Sequence, residues 1–202
     1  LKVFPPKLKT RAIKKIKYFD NSELKKFLCY LDTLELTPDN VRRTTLYRFL
    51  IATGLRVGEA LALSWSDIDF NEQTVIINNT IVQTLTERDK IQKSAKTRES
   101  NRIVSLDSNT STLLKNWKKV QNKRTLSLVD TLIFSYENHN YTYAREIQIL
   151  KKHFASACVP NIGFHGFRHT HASLLMNNDV NPKEIQIRFG HADYAITMNT
   201  YS

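Results

Sequence analysis

At 202 residues the chain can hold one substantial core, or one domain with a small appendage. Its 41% apolar and 24% charged residues are ordinary for a globular chain, and no apolar run is long enough to cross a bilayer. Thirty Lys and Arg against nineteen Asp and Glu leave a net charge of +11, with a pI near 9.7. A basic balance of that size in a chain without membrane segments points to a nucleic-acid partner.

The opening stretch, LKVFPPKLKTRAIKKIKYFD, has no apolar h-region or small-residue cleavage site and is not read as a signal peptide. It carries Lys7, Lys9, Arg11, Lys14, Lys15 and Lys17 with no sustained apolar period, so residues 1–17 are expected to form a basic linker or arm. The chain does not begin with Met and is expected to be a piece of a longer protein. Helical patterns follow. In DNSELKKFLCYLDTL, Asp20 and Glu23 have the spacing of a capping box, and Leu24, Phe27, Leu28 and Leu31 form one stripe. In TPDNVRRTTLYRFLIATG, Thr37 caps, Pro38 takes the first helical position, Val41, Leu46, Phe49 and Leu50 face inward, and Gly54 ends the helix. A third short helix is expected from Val57 to Leu63.

From Trp65 the period changes. SDIDFNEQTVIINNTIVQTL alternates, is rich in β-branched residues and bends at Asn-Glu, which predicts a hairpin. ERDKIQKSAKTRESN reads as a polar, charged connection, Arg88, Lys90, Lys93, Lys96, Arg98 and Arg102 recur around this stretch, and RIVSL reads as a third strand. Helices resume in STLLKNWKKVQNKR, YTYAREIQILKKHFASA, IGFHGFRHTHASLLMNN and NPKEIQIRFG, with Pro182 near a helix start and Gly190 past its end. DYAITMNTYS is expected to be a final short helix. The predicted fold is therefore mainly α with one small three-stranded antiparallel β-sheet, an α+β arrangement. Cys29 and Cys158 are too few and too far apart for a disulfide framework and are expected as buried free thiols of a reducing cytoplasm.

Chemistry concentrates in a few strings. In HGFRHTH, His165 and His169 stand at i, i+4, the spacing of zinc ligands, but the string lacks the glutamate of H-E-x-x-H and neither cysteine lies in a ligand pair. His165 and Arg168 stand at i, i+3, on one face at a helix start, where an imidazole, a guanidinium and free amides suit an anion such as phosphate. A surface helix with scattered His and Arg accounts for the same residues. In ATGLRVGEALALSW, Arg56 follows a turn between two apolar stretches, with Glu59 placed to hold it and Gly58 leaving room for a close backbone. A structural salt bridge explains that pair equally well.

TGLRVGEALALSWSDIDF, KSAKTRESNRIVSL, HGFRHTHASLL and FGHADYAITMNTYS, in this order and at these spacings, resemble the catalytic domain of the tyrosine recombinases, the phage-integrase family. The resemblance covers the chain after the basic arm and implies a catalytic domain over residues 18–202. It implies that Arg56 is the first active-site arginine with Glu59 as its buttress, and that Lys96 is the mobile hairpin lysine, with Lys93 as the competing position. It further implies that His165 and Arg168 are the H-x-x-R pair, His191 the His-or-Trp position and Tyr201 the nucleophile. His169 and His171 fall outside the pattern and are read as packing residues.

The implied reaction is site-specific DNA recombination, the integration or excision of a mobile element, through a 3′-phosphotyrosyl intermediate and with no metal, ATP or other cofactor. Double-stranded DNA attachment sites are the implied partners. A homo-tetramer on DNA, and accessory DNA-bending or directionality factors, belong to the same expectation. So does a bacterial cytoplasmic or nucleoid location. The family's N-terminal core-binding domain and C-terminal tail are expected to be absent from this stretch. With no tail to tether it, the last segment is expected to be mobile, with Tyr201 away from Arg56 and Arg168 when DNA is absent. Two other readings stand beside this one: a type IB topoisomerase with the same nucleophile, and a DNA-binding regulator without catalysis.

Overall fold

Helices begin where capping side chains stand. In the computed structural model, which describes residues 17–82, 90–93, 101–123, 131–135 and 143–190, Asp20 and Glu23 close a capping box at the head of α1 (Asn21–Asp32). Thr37 caps α2 (Pro38–Thr53), and Gly54 ends it in the left-handed region at φ 68°. A Cβ at Gly54 would meet the Phe189 ring at 2.5 Å, so glycine is required there by space as well as by conformation. A short α3 (Val57–Leu61) and a 3-10 turn (Trp65–Asp67) lead into the strands.

Strands β1 (Ile68–Asp69) and β2 (Thr74–Ile77) form the expected hairpin, with Val75 and Ile77 turned into the core. A separate antiparallel ribbon joins β3 (Asn79–Val82) to β4 (Lys90–Lys93). β5 (Arg102–Ser105) then returns to pair with β2, giving a three-stranded sheet in the order β1-β2-β5. The ribbon corrects the reading of 87–101 as a plain connection. Strand pairing is made by backbone groups, and a short charged strand shows little of it in its composition. The ribbon passes close to α3: a Cβ at Gly58 would lie 2.8 Å from the Ile81 carbonyl oxygen, which is the close approach expected of that glycine.

The remaining helices are α4 (Ser108–Asn122), capped by Asp107, α5 (Tyr143–Ser156), α6 (Gly163–Asn177) and α7 (Pro182–Phe189). Phe19, Phe27, Phe154 and Phe167 meet ring to ring, with centroids 5.2 to 6.3 Å apart, and fasten α1, α5 and α6 around α2. The Phe19 amide donates to the Thr170 hydroxyl at 3.0 Å, which fixes the start of α1 on α6. A smaller cluster of Ala172, Ile185 and Phe189 seats α7 on α6. Among the described residues no helix is long and apolar enough to cross a membrane.

α2 also buries charge. Arg42 and Arg43 share the carboxylate of Glu146 on α5, at 2.6 and 3.4 Å, where an apolar pattern alone predicts aliphatic packing. The cysteines correct a second expectation, since both are exposed. Cys29 lies on the outer face of α1, out of phase with Phe27 and Leu31, and Cys158 occupies the turn after α5 at φ 53°. The expected last helix lies outside the described residues.

Candidate active site

The site is assembled where α2 and α7 end and α3 and α6 begin. Gly54 turns the chain out of α2, and two residues later Arg56 caps α3 in extended conformation. Glu59, on the first turn of α3, folds back. One oxygen accepts the Arg56 amide at 2.9 Å and the other accepts Arg56 Nη1 at 2.9 Å. The Glu59 side chain is 3% exposed while that of Arg56 is 48% exposed, so the carboxylate anchors a guanidinium that still faces outward.

Glu59 has a second, deeper partner. Arg102 of β5 donates through Nη1 at 3.1 Å and Nη2 at 2.8 Å to the two carboxylate oxygens. Burial by itself would raise the Glu59 pKa, but the hydrogen bonds and charges of Arg102, and then of Arg56, outweigh it and hold it below its ordinary value. Counting Arg102 with the exposed basic loop is therefore corrected: its side chain is 6% exposed and committed to the interior. The signal available was its place at the head of the strand RIVS, where the first side chain meets the sheet's neighbours.

Arg168, on the second turn of α6, is 2% exposed. It donates through Nη1 to the Gly54 carbonyl at 2.8 Å and through Nη2 to the Phe189 carbonyl at 2.7 Å, tying the ends of α2 and α7 together. His165, one turn earlier, is exposed at the surface. Its pKa is lowered by partial burial and then by the positive charges of Arg168 and Arg56, so both arginines act on this imidazole and favour its neutral form. His169 stands edge-on to His165 with ring centroids 4.5 Å apart and is pushed down to about 4, by burial first and then by His165 and Arg168. Ile162 gives α6 no side-chain cap, and the Gly163 amide donates instead to Asn161 Oδ1 at 3.2 Å.

Behind these groups, Arg188 of α7 donates to His171 Nε2 at 3.1 Å, to the Ser105 hydroxyl at 3.1 Å and to the Ser105 carbonyl at 3.0 Å. His171 packs on the Phe189 ring with centroids 5.8 Å apart, in line with its reading as a packing residue. The structure thus brings together Arg56, Glu59, His165 and Arg168. Lys96, His191 and Tyr201 lie outside the described residues. Among the described residues no three His, Cys, Asp or Glu side chains are grouped to hold a metal ion.

This helical frame with its small sheet is found in solved recombinase structures. The Tn1549 transposon integrase, solved in complex with transposon right end DNA, superposes with a TM-score of 0.77 at 21% identity, over 92% of this chain and 61% of that one. The XerA recombinase gives 0.72 at 20% identity, over 100% and 64%. The sequence profile of the Phage integrase family matches residues 17–202, and the chain belongs to that family. It is 31% identical over 198 residues to the ICEBs1 integrase of Bacillus subtilis (strain 168), covering 93% of this chain and 50% of that protein. A XerC-like tyrosine recombinase of Caldanaerobacter subterraneus is 29% identical over 178 residues, covering 80% and 45%. The chain spans about half the length of the curated relatives it matches.

Proposed function

We propose that residues 18–202 form the catalytic domain of a site-specific tyrosine recombinase that integrates or excises a mobile element, with residues 1–17 as a basic arm along DNA. The observation that supports this most is Arg56, held by a buried carboxylate and still half-exposed, two residues after Gly54, whose carbonyl takes Arg168 from the helix that also carries His165. Two fixed cations beside a neutral imidazole suit a phosphodiester.

In this reading the Tyr201 hydroxyl attacks a backbone phosphorus, a 3′-phosphotyrosyl bond forms and the bond to the 5′ oxygen breaks. A phenol of pKa ~10 is protonated at neutral pH and gives up its proton on attack, with His165 as acceptor. Negative charge grows on the non-bridging oxygens in the five-coordinate state. The guanidinium of Arg56 meets that charge directly, with His191 on the same phosphate and the buried Arg168 adding positive charge from behind. Lys96 delivers a proton to the leaving 5′ oxygen. Reversal of these steps with a different 5′ hydroxyl rejoins the strand, and the bond energy is kept throughout.

The partners are double-stranded attachment sites, bound by a homo-tetramer with accessory bending or directionality factors, in the bacterial cytoplasm or nucleoid. Basic residues of the arm and hairpin would contact phosphates and make binding steeply salt-dependent. A substrate nicked beside the cleavage site tests the reading, because it traps the intermediate. An SDS-resistant protein–DNA adduct followed by strand exchange is expected. Relaxation of supercoiled DNA without exchange would indicate a topoisomerase, and binding without an adduct would indicate a regulator.

A further inference from the structure

We propose that Arg102 is a positioning residue for this reaction, acting through Glu59 on Arg56; the inference rests on reading the site as one that cleaves DNA. Arg56 is a half-exposed guanidinium, and a side chain of that length is held only as well as its partner is held. Its partner, Glu59, is 3% exposed, and an exposed arginine screened by water is a weak counterion for a carboxylate so deeply buried. Arg102 supplies what is missing. It is buried, on a different element, and presents both ends of its fork to both oxygens of Glu59 at 3.1 and 2.8 Å. That bidentate contact fixes the plane of the carboxylate, and the plane fixes where Arg56 Nη1 is held.

The third nitrogen of Arg102 is also engaged. Its Nε donates to the Arg188 carbonyl at 2.9 Å, in the last turn of α7. Arg168 takes the next carbonyl, that of Phe189, at 2.7 Å. Arg188 answers in the opposite direction, donating to Ser105 on the strand that carries Arg102. Strand β5 and helix α7 are thus joined both ways. The chain leaves α7 at Gly190, φ 60°, immediately before His191. One guanidinium therefore orients the Glu59–Arg56 pair and steadies the helix end next to a second proposed site residue, although it is itself buried away from any substrate. A lysine at this position would keep the charge and lose the fork.

The test is a double-mutant cycle on single-turnover cleavage of the nicked substrate at saturating DNA. Arg102→Ala is expected to slow adduct formation on the order of 100-fold, the scale of a misplaced reacting group, with DNA affinity within about threefold of wild type. In an Arg56→Ala background the same change is expected to cost about tenfold or less, because the group it positions is gone. A purely structural role would subtract the same factor in both backgrounds, and equal penalties, or none, would overturn the inference. If Arg102→Ala shows no cooperative melting, Arg102→Lys is read in the same cycle with the same criterion. A wild-type protein that forms no adduct would overturn the DNA-cleavage reading and this inference with it. A wild-type adduct with equal penalties would overturn this inference alone.

Discussion

Arg168 and Phe189 are joined twice: Nη2 of the arginine donates to the phenylalanine's carbonyl at 2.7 Å, and the guanidinium lies over its ring, 4.1 Å from the centroid. The arginine therefore closes the structure as well as charging the proposed site, and the two arginines proposed for that site are not equivalent. Arg56→Ala is expected to leave melting nearly unchanged, since a half-exposed ion pair contributes about 0–1 kcal/mol. It is expected to slow cleavage roughly 100- to 1000-fold, the usual loss for one preorganised donor. Arg168→Ala should lose a similar rate and also melt lower, because each buried carbonyl left unpaired costs about 1–3 kcal/mol. Thermal melting beside single-turnover cleavage separates the two. An Arg168→Ala protein that melts like wild type would contradict the clamp.

Glu59 gives an acid-side prediction. Its folded pKa lies below the ordinary value, so the stabilisation is present above the unfolded-state pKa of ~4.3 and is lost as pH falls through the folded value. Melting temperature should drop with pH below ~4.3, and Glu59→Gln should drop less steeply over the same window. Parallel slopes would place the titrating group elsewhere.

His171 acts earlier in an acid titration and with a different origin. Burial, then the charge of Arg188, lowers it to about 3 despite a hydrogen bond to the Ile51 backbone, with Arg168 adding to the lowering. The unfolded chain binds this proton below pH ~6.5 while the native state does not, so this histidine costs stability progressively as pH falls from there. Because Nε2 accepts from Arg188, the proton must sit on Nδ1. Nitrogen NMR of the imidazoles at pH 5 should show His171 neutral and protonated on Nδ1. An imidazolium signal there would contradict the packing.

The buried ion cluster on α2 should matter for stability and not for chemistry. Glu146→Gln leaves Arg42 and Arg43 without their shared carboxylate, and breaking a buried pair typically costs about 3–5 kcal/mol. Cleavage per folded molecule, measured well below the melting temperature, should stay within about threefold of wild type, since small shifts far from a site add nearly independently. A large melting loss with a proportionate rate loss would instead couple α5 to the site.

Much of this was legible in the chain. Capping residues Asp20 and Thr37 mark helix starts because their side chains answer a local need of the backbone, and Gly54 and Gly190 mark ends for the same reason. Arg56 and Glu59 were readable as a pair because they lie one turn apart. Long-range commitments were not readable. Arg102 and Glu59 are 43 residues apart and Arg168 and Gly54 are 114 apart, and nothing local to either member announces the other. The ribbon strand Lys90–Lys93 was hidden by its charge, and the exposure of Cys29 was hidden by a general tendency of cysteine to be buried. Burial of Arg42 and Arg43 escaped notice because the residue that neutralises them, Glu146, sits on a helix far down the chain.

On the proposed reading, this chain breaks DNA through a covalent bond to Tyr201. Mass spectrometry of the adduct trapped on a nicked substrate, after nuclease and protease digestion, tests it most directly. A nucleotide attached to the peptide containing Tyr201, through the phenolic oxygen, is expected, and no adduct from Tyr201→Phe. An adduct mapped to another residue, or one that persists in Tyr201→Phe, would contradict it.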